Sequence, residues 1–115
     1  MLQDLINNYG SFGDALITEI QYYNGYDFFN HTFGNQTLKI SISCFNRNRN
    51  CDQDLITIYC DEVISFIYEK RAGMIDEALL KEENGEFILD FDHESAHPYL
   101  VVKCKKLTYE VIAQK

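Results

Sequence analysis

The sequence contains no long apolar run and no export signal. Its apolar runs are only a few residues long, whereas a helix that crosses a bilayer needs ~20 apolar residues. The amino-terminal stretch MLQDLINNYG lacks both the basic start and the apolar segment of a secretory signal peptide. We therefore expect a cytoplasmic protein that has no membrane span.

Proline and glycine are scarce, with one proline and six glycines among 115 residues. Collagen-like and low-complexity disordered chains are rich in these residues, so both classes are excluded. The hydrophobic fraction is 46%, which is ordinary for a globular protein. Folding of a chain this long buries roughly 65% of the surface that the extended chain exposes. We expect residues 1–115 to form a single globular domain.

The sequence has four cysteines, which are Cys44, Cys51, Cys60 and Cys104. None of them forms a C-x-x-C pair, which is the spacing used by zinc ribbons and redox sites. A reducing compartment keeps thiols free. Cys44, Cys60 and Cys104 lie within apolar, strand-like runs, where a thiol behaves as a small buried hydrophobe. We therefore predict buried, unpaired thiols.

Basic residues are few: ten lysines and arginines stand against eighteen aspartates and glutamates, which gives a net charge of −8. A nucleic-acid-binding protein normally presents a basic surface to the phosphates, so we do not expect a nucleic acid partner. The only basic concentrations are NRNRN (46–50) and KCKK (103–106), which are typical of a solvated turn and a strand edge. An acidic domain suits a cationic protein partner.

Hydrophobic periodicity predicts a short helix followed by strands. The helix covers residues 2–9 and is stopped by Gly10. From residue 15 the period shifts towards two, most clearly in LKISISC (38–44), where every second residue is apolar. Further strand-like runs are ALITEIQYY (15–23), LITIYC (55–60), GEFILDF (85–91), YLVVKC (99–104) and LTYEVI (107–112).

Two segments, DEVISFIYEK (61–70) and MIDEALLKEE (74–83), are open to two interpretations. Their Glu, Leu, Ala and Lys residues favour helix, but turn signals bound both segments at strand-like lengths, so we predict strands. The predicted fold is mainly β (α+β). A short N-terminal helix is followed by about seven antiparallel strands in a curled sheet, a sandwich or a half-barrel.

The stretch FDHESAHPYL (91–100) contains an H-E-x-x-H pattern. On a helix, His93 and His97 would converge on zinc and Glu94 would activate the bound water, as in a metal-dependent hydrolase. Pro98 disfavours helical geometry at the preceding residue, and both flanks are strand-like. We therefore predict a connecting loop without a metal site. Weak surface cation binding and a zinc hydrolase are the alternatives.

An aromatic segment, YYNGYDFFNHTF (22–33), follows the first strand and contains the tight-turn dipeptide Asn24-Gly25. It has too many aromatic residues for a purely solvated connection. Phe28, Phe29 or Phe33 could cap the open end of the core. The alternatives are a protein contact surface, for which tyrosine and phenylalanine are typical, and the mouth of a small-ligand-binding half-barrel. His31 is expected to be solvated.

The order of these segments resembles a family of small, uncharacterised β-rich bacterial proteins whose first strand opens with F-x-D-A. Some relatives are grouped with the immunity proteins of polymorphic toxin systems. The segments that carry the resemblance are YGSFGDALITEIQY, LKISI, DLITIYCDEVISFIYE, IDEALLKEENGEFILDFD and YLVVKCKKLTYEVI, within residues 9–112. Many relatives have histidine before the aspartate of the opening motif, where this chain has Gly13 before Asp14. The resemblance implies no catalytic residues.

From these observations we expect a non-enzymatic acidic binding protein without a cofactor, which occludes a cationic partner such as a toxin. Its contact residues are expected to be the aromatic anchors Tyr26, Phe28 and Phe29. An acidic set should face the partner, and its members are Asp61, Glu62, Asp76, Glu77, Glu82, Glu83 and Glu86.

Overall fold

The computed structural model describes residues 1–70 and 73–115, and it confirms the predicted mainly β fold. One short helix precedes a six-stranded antiparallel sheet, and two further short strands form a separate hairpin. Within the described residues, no helix is long and apolar enough to cross a membrane. The elements in chain order are α1 (Leu2–Tyr9), β1 (Leu16–Tyr23), β2 (Tyr26–Asp27), β3 (Thr32–Phe33), β4 (Thr37–Asn46), β5 (Asp52–Tyr68), β6 (Ala78–Glu83), β7 (Glu86–Phe91) and β8 (Leu100–Gln114).

The main sheet has the strand order β1–β4–β5–β8–β7–β6, and every neighbouring pair is antiparallel. The two long strands, β5 and β8, lie at its centre. β4 pairs with the first half of β5, and β1 extends the sheet on that side. β7 pairs with the first half of β8, and β6 extends the sheet on the other side. The sheet therefore has two staggered halves that β5 and β8 connect.

The long strand β5 joins two runs that the sequence pattern separates at residue 61. Cys60 and Val63 are both buried, so Asp61 and Glu62 both face outward between them. The backbone of Glu62 has a φ of 51°, which is uncommon for a residue other than glycine. The alternation of faces therefore shifts by one residue within a continuous strand, and the period-two pattern is interrupted there.

β8 contains a matching shift that joins the predicted runs 99–104 and 107–112. Lys105 and Lys106 are exposed between two buried residues, Cys104 and Leu107. Lys106 lies opposite Asp61 in the register of β5 and β8, and its Nζ lies 3.4 Å from Oε2 of Glu62. The two central strands change face at the same level of the sheet, where acidic residues of one meet basic residues of the other.

The two ambiguous segments differ in how much strand they contain. Residues 61–70 are strand as far as Tyr68, as part of β5. In 74–83 only Ala78–Glu83 is strand, and residues 74–77 form the connection before it. The prediction of strand over helix is confirmed for both segments within these limits.

The core lies on one face of the sheet, which α1 and three loop residues cover. Leu5 and Tyr9 of α1 pack there with Phe12, Ile75 and Tyr99, all of them buried. The sheet residues that they cover include Leu38, Ile40, Ile42, Cys44, Ile56, Ile58, Cys60, Leu80, Leu89, Phe91, Leu100, Val102, Cys104 and Leu107. The burial predicted for three of the four cysteines is confirmed, whereas Cys51 is exposed.

The sheet curls without closing into a barrel. Just before the two edge strands, the N–H of Asp14 donates to the carbonyl of Ile75 at 2.8 Å, and the N–H of Ile75 donates to the carbonyl of Ala15 at 2.7 Å. β1 and β6 themselves do not pair. Further along, the rings of Tyr22 in β1 and Phe66 in β5 lie 4.8 Å apart, although β4 separates those strands. The half-barrel form of the prediction fits this geometry.

A buried carboxylate, Asp54 of β5, connects the helix to the sheet. Its oxygens accept hydrogen bonds from the Tyr9 hydroxyl (2.9 Å), Asn46 Nδ2 (2.9 Å), the Arg49 guanidinium (2.7 Å) and Gln114 Nε2 (3.2 Å). Burial by itself raises the pKa of Asp54, but the hydrogen bonds from Asn46, Tyr9 and Arg49 outweigh it and hold the pKa below its ordinary value. Asp54 therefore has a structural role.

Candidate functional site

The segment between β1 and β4 forms a two-stranded hairpin, which we call the aromatic hairpin (residues 22–34). Tyr26 pairs with Phe33, and Asp27 pairs with Thr32. At the base, the N–H of Gly34 donates to the carbonyl of Gly25 at 2.7 Å. Gly25 has a φ of 85°, and a Cβ there would lie 2.5 Å from the Gly34 carbonyl oxygen. The base therefore requires glycine at position 25.

The tip of the aromatic hairpin is held by Asp27. Its Oδ1 accepts hydrogen bonds from the backbone N–H groups of Phe29 (3.0 Å) and Asn30 (3.2 Å), and its Oδ2 accepts one from Asn30 Nδ2 (2.8 Å). The side-chain bond from Asn30 is the main reason that the pKa of Asp27 lies below its ordinary value. The Tyr26 hydroxyl and His31 Nδ1 are 3.1 Å apart. These bonds give an exposed loop a defined shape.

Three phenylalanines of the aromatic hairpin project into solvent. Phe28 is 70% exposed, Phe29 is 88% exposed and Phe33 is 77% exposed. The interpretation in which they cap the core is therefore wrong, and side chains this exposed do not enclose a small ligand. Tyr26, Phe28 and Phe29, which we predict to contact a partner, lie in the same hairpin. Phe33 joins them because it pairs with Tyr26, with ring centroids 5.1 Å apart. Only the hairpin register reveals that fourth member.

The aromatic hairpin carries no lysine or arginine of its own, and Lys105 of β8 lines a depression at its base together with Gly34 and Gln36. Residues 1–38 include no lysine or arginine, and Asp27 is the charged residue of the hairpin itself. Two residues of the predicted acidic set, Asp61 and Glu62, lie close to its base. The N–H of Val63 donates to the Gln36 carbonyl at 3.0 Å, and the Tyr22 hydroxyl donates to Gln36 Oε1 at 2.9 Å.

Three more residues of the acidic set flank the turn between β6 and β7, which we call the acidic hairpin (residues 78–91). Glu82, Glu83 and Glu86 lie beside this turn. Lys81 Nζ lies 3.0 Å from Glu83 Oε2, and Lys103 Nζ lies 3.6 Å from Glu86 Oε1. The hydrogen bond from Lys81 lowers the pKa of Glu83. Two of the three carboxylates are therefore compensated within the molecule.

The last two members of the acidic set, Asp76 and Glu77, lie at the opposite end of β6. Glu77 directly precedes β6 and Glu83 is its last residue, and a strand of this length spans ~20 Å. The backbone N–H groups of Asp76 and Glu77 both donate to Oδ1 of the buried Asp92, so Asp92 orients the chain before β6. The predicted acidic set therefore divides between two ends of the sheet. Asp76 and Glu77 lie at one end, and the other members lie at the level where β8 carries Lys105 and Lys106 between β5 and β7.

The H-E-x-x-H residues lie in the turn and bend between β7 and β8, where we predicted a loop. His93 Nδ1 lies 3.2 Å from the carbonyl oxygen of Glu77. His97 is largely exposed, with its Nδ1 4.0 Å from Glu69 Oε2. The two imidazoles thus have different neighbours. Among residues 1–70 and 73–115, no group of three or more His, Cys, Asp or Glu side chains is placed to hold a metal ion.

Two of the three buried thiols, those of Cys44 and Cys60, are unsuited to nucleophilic chemistry, whereas the hydrogen bond with Cys60 lowers the pKa of Cys104. Burial, together with the charge of Asp54, raises the pKa of Cys44 to about 12. A hydrogen bond with Cys104 and burial raise the pKa of Cys60. Because the thiolate is the reactive form, these cysteines act as core residues.

Comparison of the chain with family models, with curated proteins and with solved structures found no match. The resemblance to toxin immunity proteins therefore stays a prediction.

Proposed function

We propose that this chain is a non-enzymatic, cytoplasmic binding protein that contacts a cationic protein partner through the aromatic hairpin. The observation that carries the proposal is the exposure of Phe28, Phe29 and Phe33 on a loop whose shape is fixed by hydrogen bonds. Exposed apolar side chains that adjoin one another mark interaction sites, whereas scattered ones need no explanation.

The energetics support a contact role for these phenylalanines. Removing one phenylalanine side chain from water contributes about 1.5–3 kcal/mol, and a few such anchors dominate most protein interfaces. Phe28 and Phe29 already pack edge to face, with ring centroids 5.5 Å apart. Since the loop is ordered by Asp27 before binding, little conformational entropy is lost when the partner docks.

The charge of the molecule indicates the kind of partner. The net charge is −8, which favours the approach of a basic surface. At the base of the aromatic hairpin, Lys105 lines a depression with Gly34 and Glu62, and Lys106 pairs with Glu62. Complementary charge raises the association rate and disfavours wrong partners. Arginine and lysine on the partner can also lie over the exposed rings in cation–π contacts.

In the immunity interpretation, the contact works by occlusion. The aromatic hairpin would insert into a groove of a cationic toxin. Asp61 at its base would face basic residues around that groove, whereas Glu62 already pairs with Lys106. Such a mechanism needs no catalytic residue in this chain.

The proposal is tested by affinity measurements with a matched pair of triple variants. The first candidate partner is the protein encoded directly upstream, purified and titrated against this chain. The first triple variant should weaken binding about 100-fold, and it combines Phe28→Ser, Phe29→Ser and Phe33→Ser. The control combines Ile67→Thr, Met74→Ser and Ile112→Thr, which alter similarly exposed but dispersed side chains, and it should bind like the wild type. Equal affinities for the two variants would contradict the proposal.

A further inference from the structure

The sequence contains two Asn-Gly dipeptides, Asn24-Gly25 at the base of the aromatic hairpin and Asn84-Gly85 at the turn of the acidic hairpin. Such a dipeptide is chemically labile, because the backbone nitrogen of the glycine can attack the carboxamide carbon of the asparagine. Glycine favours this attack, since it has no Cβ to shield the nitrogen and its backbone rotates freely. The intrinsic chemistry of the two dipeptides is therefore the same, and only their surroundings differ.

The surroundings of Asn24 restrict the attack. Its Oδ1 accepts a hydrogen bond from the Tyr26 N–H at 2.9 Å, which holds the carboxamide in place. Gly25 is buried, and its carbonyl accepts a hydrogen bond from the Gly34 N–H at 2.7 Å. A Cβ on Gly25 would lie 2.5 to 2.9 Å from backbone atoms of Gly34 and Asn35. These contacts oppose both the rotation of Gly25 and the movement of the carboxamide that the attack requires.

The surroundings of Asn84 are open. Asn84 and Gly85 are both exposed. Among the described residues, no atom beyond the chain neighbours lies within 4 Å of the position that a Cβ on Gly85 would take. In the same part of the chain, no hydrogen bond holds the Asn84 carboxamide. The carboxamide is therefore free to move towards the nitrogen of Gly85.

The turn itself leaves the nitrogen of Gly85 available. Asn84 and Gly85 have φ values of 56° and 77°, which are typical of a two-residue type I′ turn. Its closing hydrogen bonds join Glu83 to Glu86, which are paired in the register of β6 and β7, so they do not involve the Gly85 N–H. Because β6 is an edge strand, the turn at its end opens locally at a low cost in free energy. Local opening supplies the rotation that the attack needs.

We propose that Asn84 is a site of spontaneous deamidation in the folded protein and that the fold protects Asn24. The Gly85 nitrogen forms a bond to Cγ of Asn84, and the Cγ–Nδ2 bond breaks. The proton of the Gly85 nitrogen leaves with the Nδ2 group as ammonia. Water then opens the resulting succinimide ring at one of its two carbonyl carbons, which gives aspartate or isoaspartate. No oxidant or further reactant is needed.

Deamidation changes the tip of the acidic hairpin. Either product adds a carboxylate between Glu83 and Glu86, so the net charge of −8 becomes one unit more negative. Isoaspartate also adds a methylene group to the main chain, and the geometry of a two-residue turn does not accommodate it. The Glu83–Glu86 pair should therefore open. Neither change involves the exposed phenylalanines, so deamidation at Asn84 does not depend on the proposed function.

Aged samples of the full chain test the proposal. The protein is incubated in mildly alkaline buffer and digested, and mass spectrometry measures aspartate and isoaspartate at positions 24 and 84. In the folded protein, we expect conversion at Asn84 to be about 10-fold faster than at Asn24, because only its turn opens readily. In concentrated urea, where the fold protects neither dipeptide, the two rates should agree within about 3-fold. Equal rates in the folded protein, faster conversion at Asn24, or conversion of Asn84 only in urea would overturn the proposal.

Two variants attribute the conversion to the turn of the acidic hairpin. Gly85→Ala places a Cβ beside the attacking nitrogen, so it should slow conversion at position 84 about 10-fold and leave Asn24 unchanged. Asn84→Asp reproduces the aspartate product, and its retention in anion exchange should match the acidic species that forms from the wild type. If Asn84→Asp produced a further acidic species at the wild-type rate, the conversion would lie at another residue and the proposal would be contradicted.

Discussion

Two hairpins of this molecule expose different chemistry, and the difference is the reason that we propose one of them and not the other as the contact surface. In the acidic hairpin, the carboxylates of Glu83 and Glu86 lie within 4 Å of lysines. In the aromatic hairpin, the hydrogen bonds hold the backbone and leave Phe28, Phe29 and Phe33 in water. A surface whose charges are compensated internally has little to gain from docking, whereas three exposed rings gain the full free energy of leaving water.

The hairpins also differ in how they depend on the main sheet. β6 and β7 belong to the six-stranded sheet, and Leu80 and Leu89 connect them to the core. β2 and β3 form a sheet of their own. Changes to the exposed rings of the aromatic hairpin should therefore alter binding with little effect on stability. Changes to the core residues of the acidic hairpin, Leu80 and Leu89, should alter stability with little effect on binding.

The largest expected effect is that of replacing all three exposed phenylalanines by serine. Partner affinity should fall about 100-fold, since each lost anchor removes buried apolar area from the interface. The free energy of unfolding should change by less than about 0.5 kcal/mol because the three side chains are exposed in the free protein. Calorimetric titration with the partner and urea unfolding measure the two quantities. A large loss of stability without a loss of affinity would show that the three phenylalanines stabilise the fold and do not contact the partner.

A pair of glycine substitutions should give the next largest effect. At Gly25 a Cβ would approach the Gly34 carbonyl oxygen to 2.5 Å, whereas a Cβ at Gly85 meets nothing within 4 Å. Gly25→Ala should therefore open the base of the aromatic hairpin and weaken binding about 10-fold. Gly85→Ala should leave binding unchanged and cost about 1 kcal/mol of stability, from strain at positive φ alone. Equal effects of the two substitutions on affinity would contradict the account.

Acid should loosen the aromatic hairpin through Asp27. Its pKa is lowered in the folded protein, so its contribution to loop order is present above the unfolded pKa and is lost as the pH falls through the folded pKa. The amide shifts of Phe29 and Asn30, followed by NMR, should move only below about pH 4. Asp27→Ala should lack this transition. A transition near neutral pH in the wild type would show that another group orders the loop.

The smallest expected effect is that of neutralising the acidic hairpin. Changing Glu82, Glu83 and Glu86 to glutamine should alter the free energy of unfolding by less than about 1 kcal/mol, because exposed ion pairs contribute little. The association rate should fall by no more than about 3-fold at low salt, through weaker electrostatic steering. Stopped-flow binding measures this rate. A loss of affinity as large as that of the triple phenylalanine variant would make the acidic hairpin the principal contact surface.

The sequence predicts the fold class because most strands are amphipathic, and the alternation in LKISISC corresponds to the buried face of β4. The sequence pattern predicts two short strands in place of each of the long strands β5 and β8. Both strands change face at the same level, at Asp61 and Lys106, and a period-two pattern cannot continue through such a shift. The continuity of each long strand is visible only in the structure, where β5 pairs with β8 on both sides of the shift.

The candidate site was predictable in composition but not in arrangement. Asn24-Gly25 and the density of aromatic residues mark the hairpin in the sequence. The exposure of Phe28 and Phe29 depends on where the loop projects from the sheet, and local sequence does not determine that direction. The acidic set divides for a related reason, since Glu77 precedes β6 and Glu83 is the last residue of that strand.

Photo-crosslinking tests the central claim most directly. A benzoylphenylalanine is placed at position 29 and, as a control, at position 67, which is also exposed but lies on β5. After irradiation of cells that produce the protein, we expect position 29 to yield one discrete adduct with a basic protein, and position 67 to yield none. An absence of adducts at position 29, or the same adduct from both positions, would contradict the assignment of the aromatic hairpin as the contact surface.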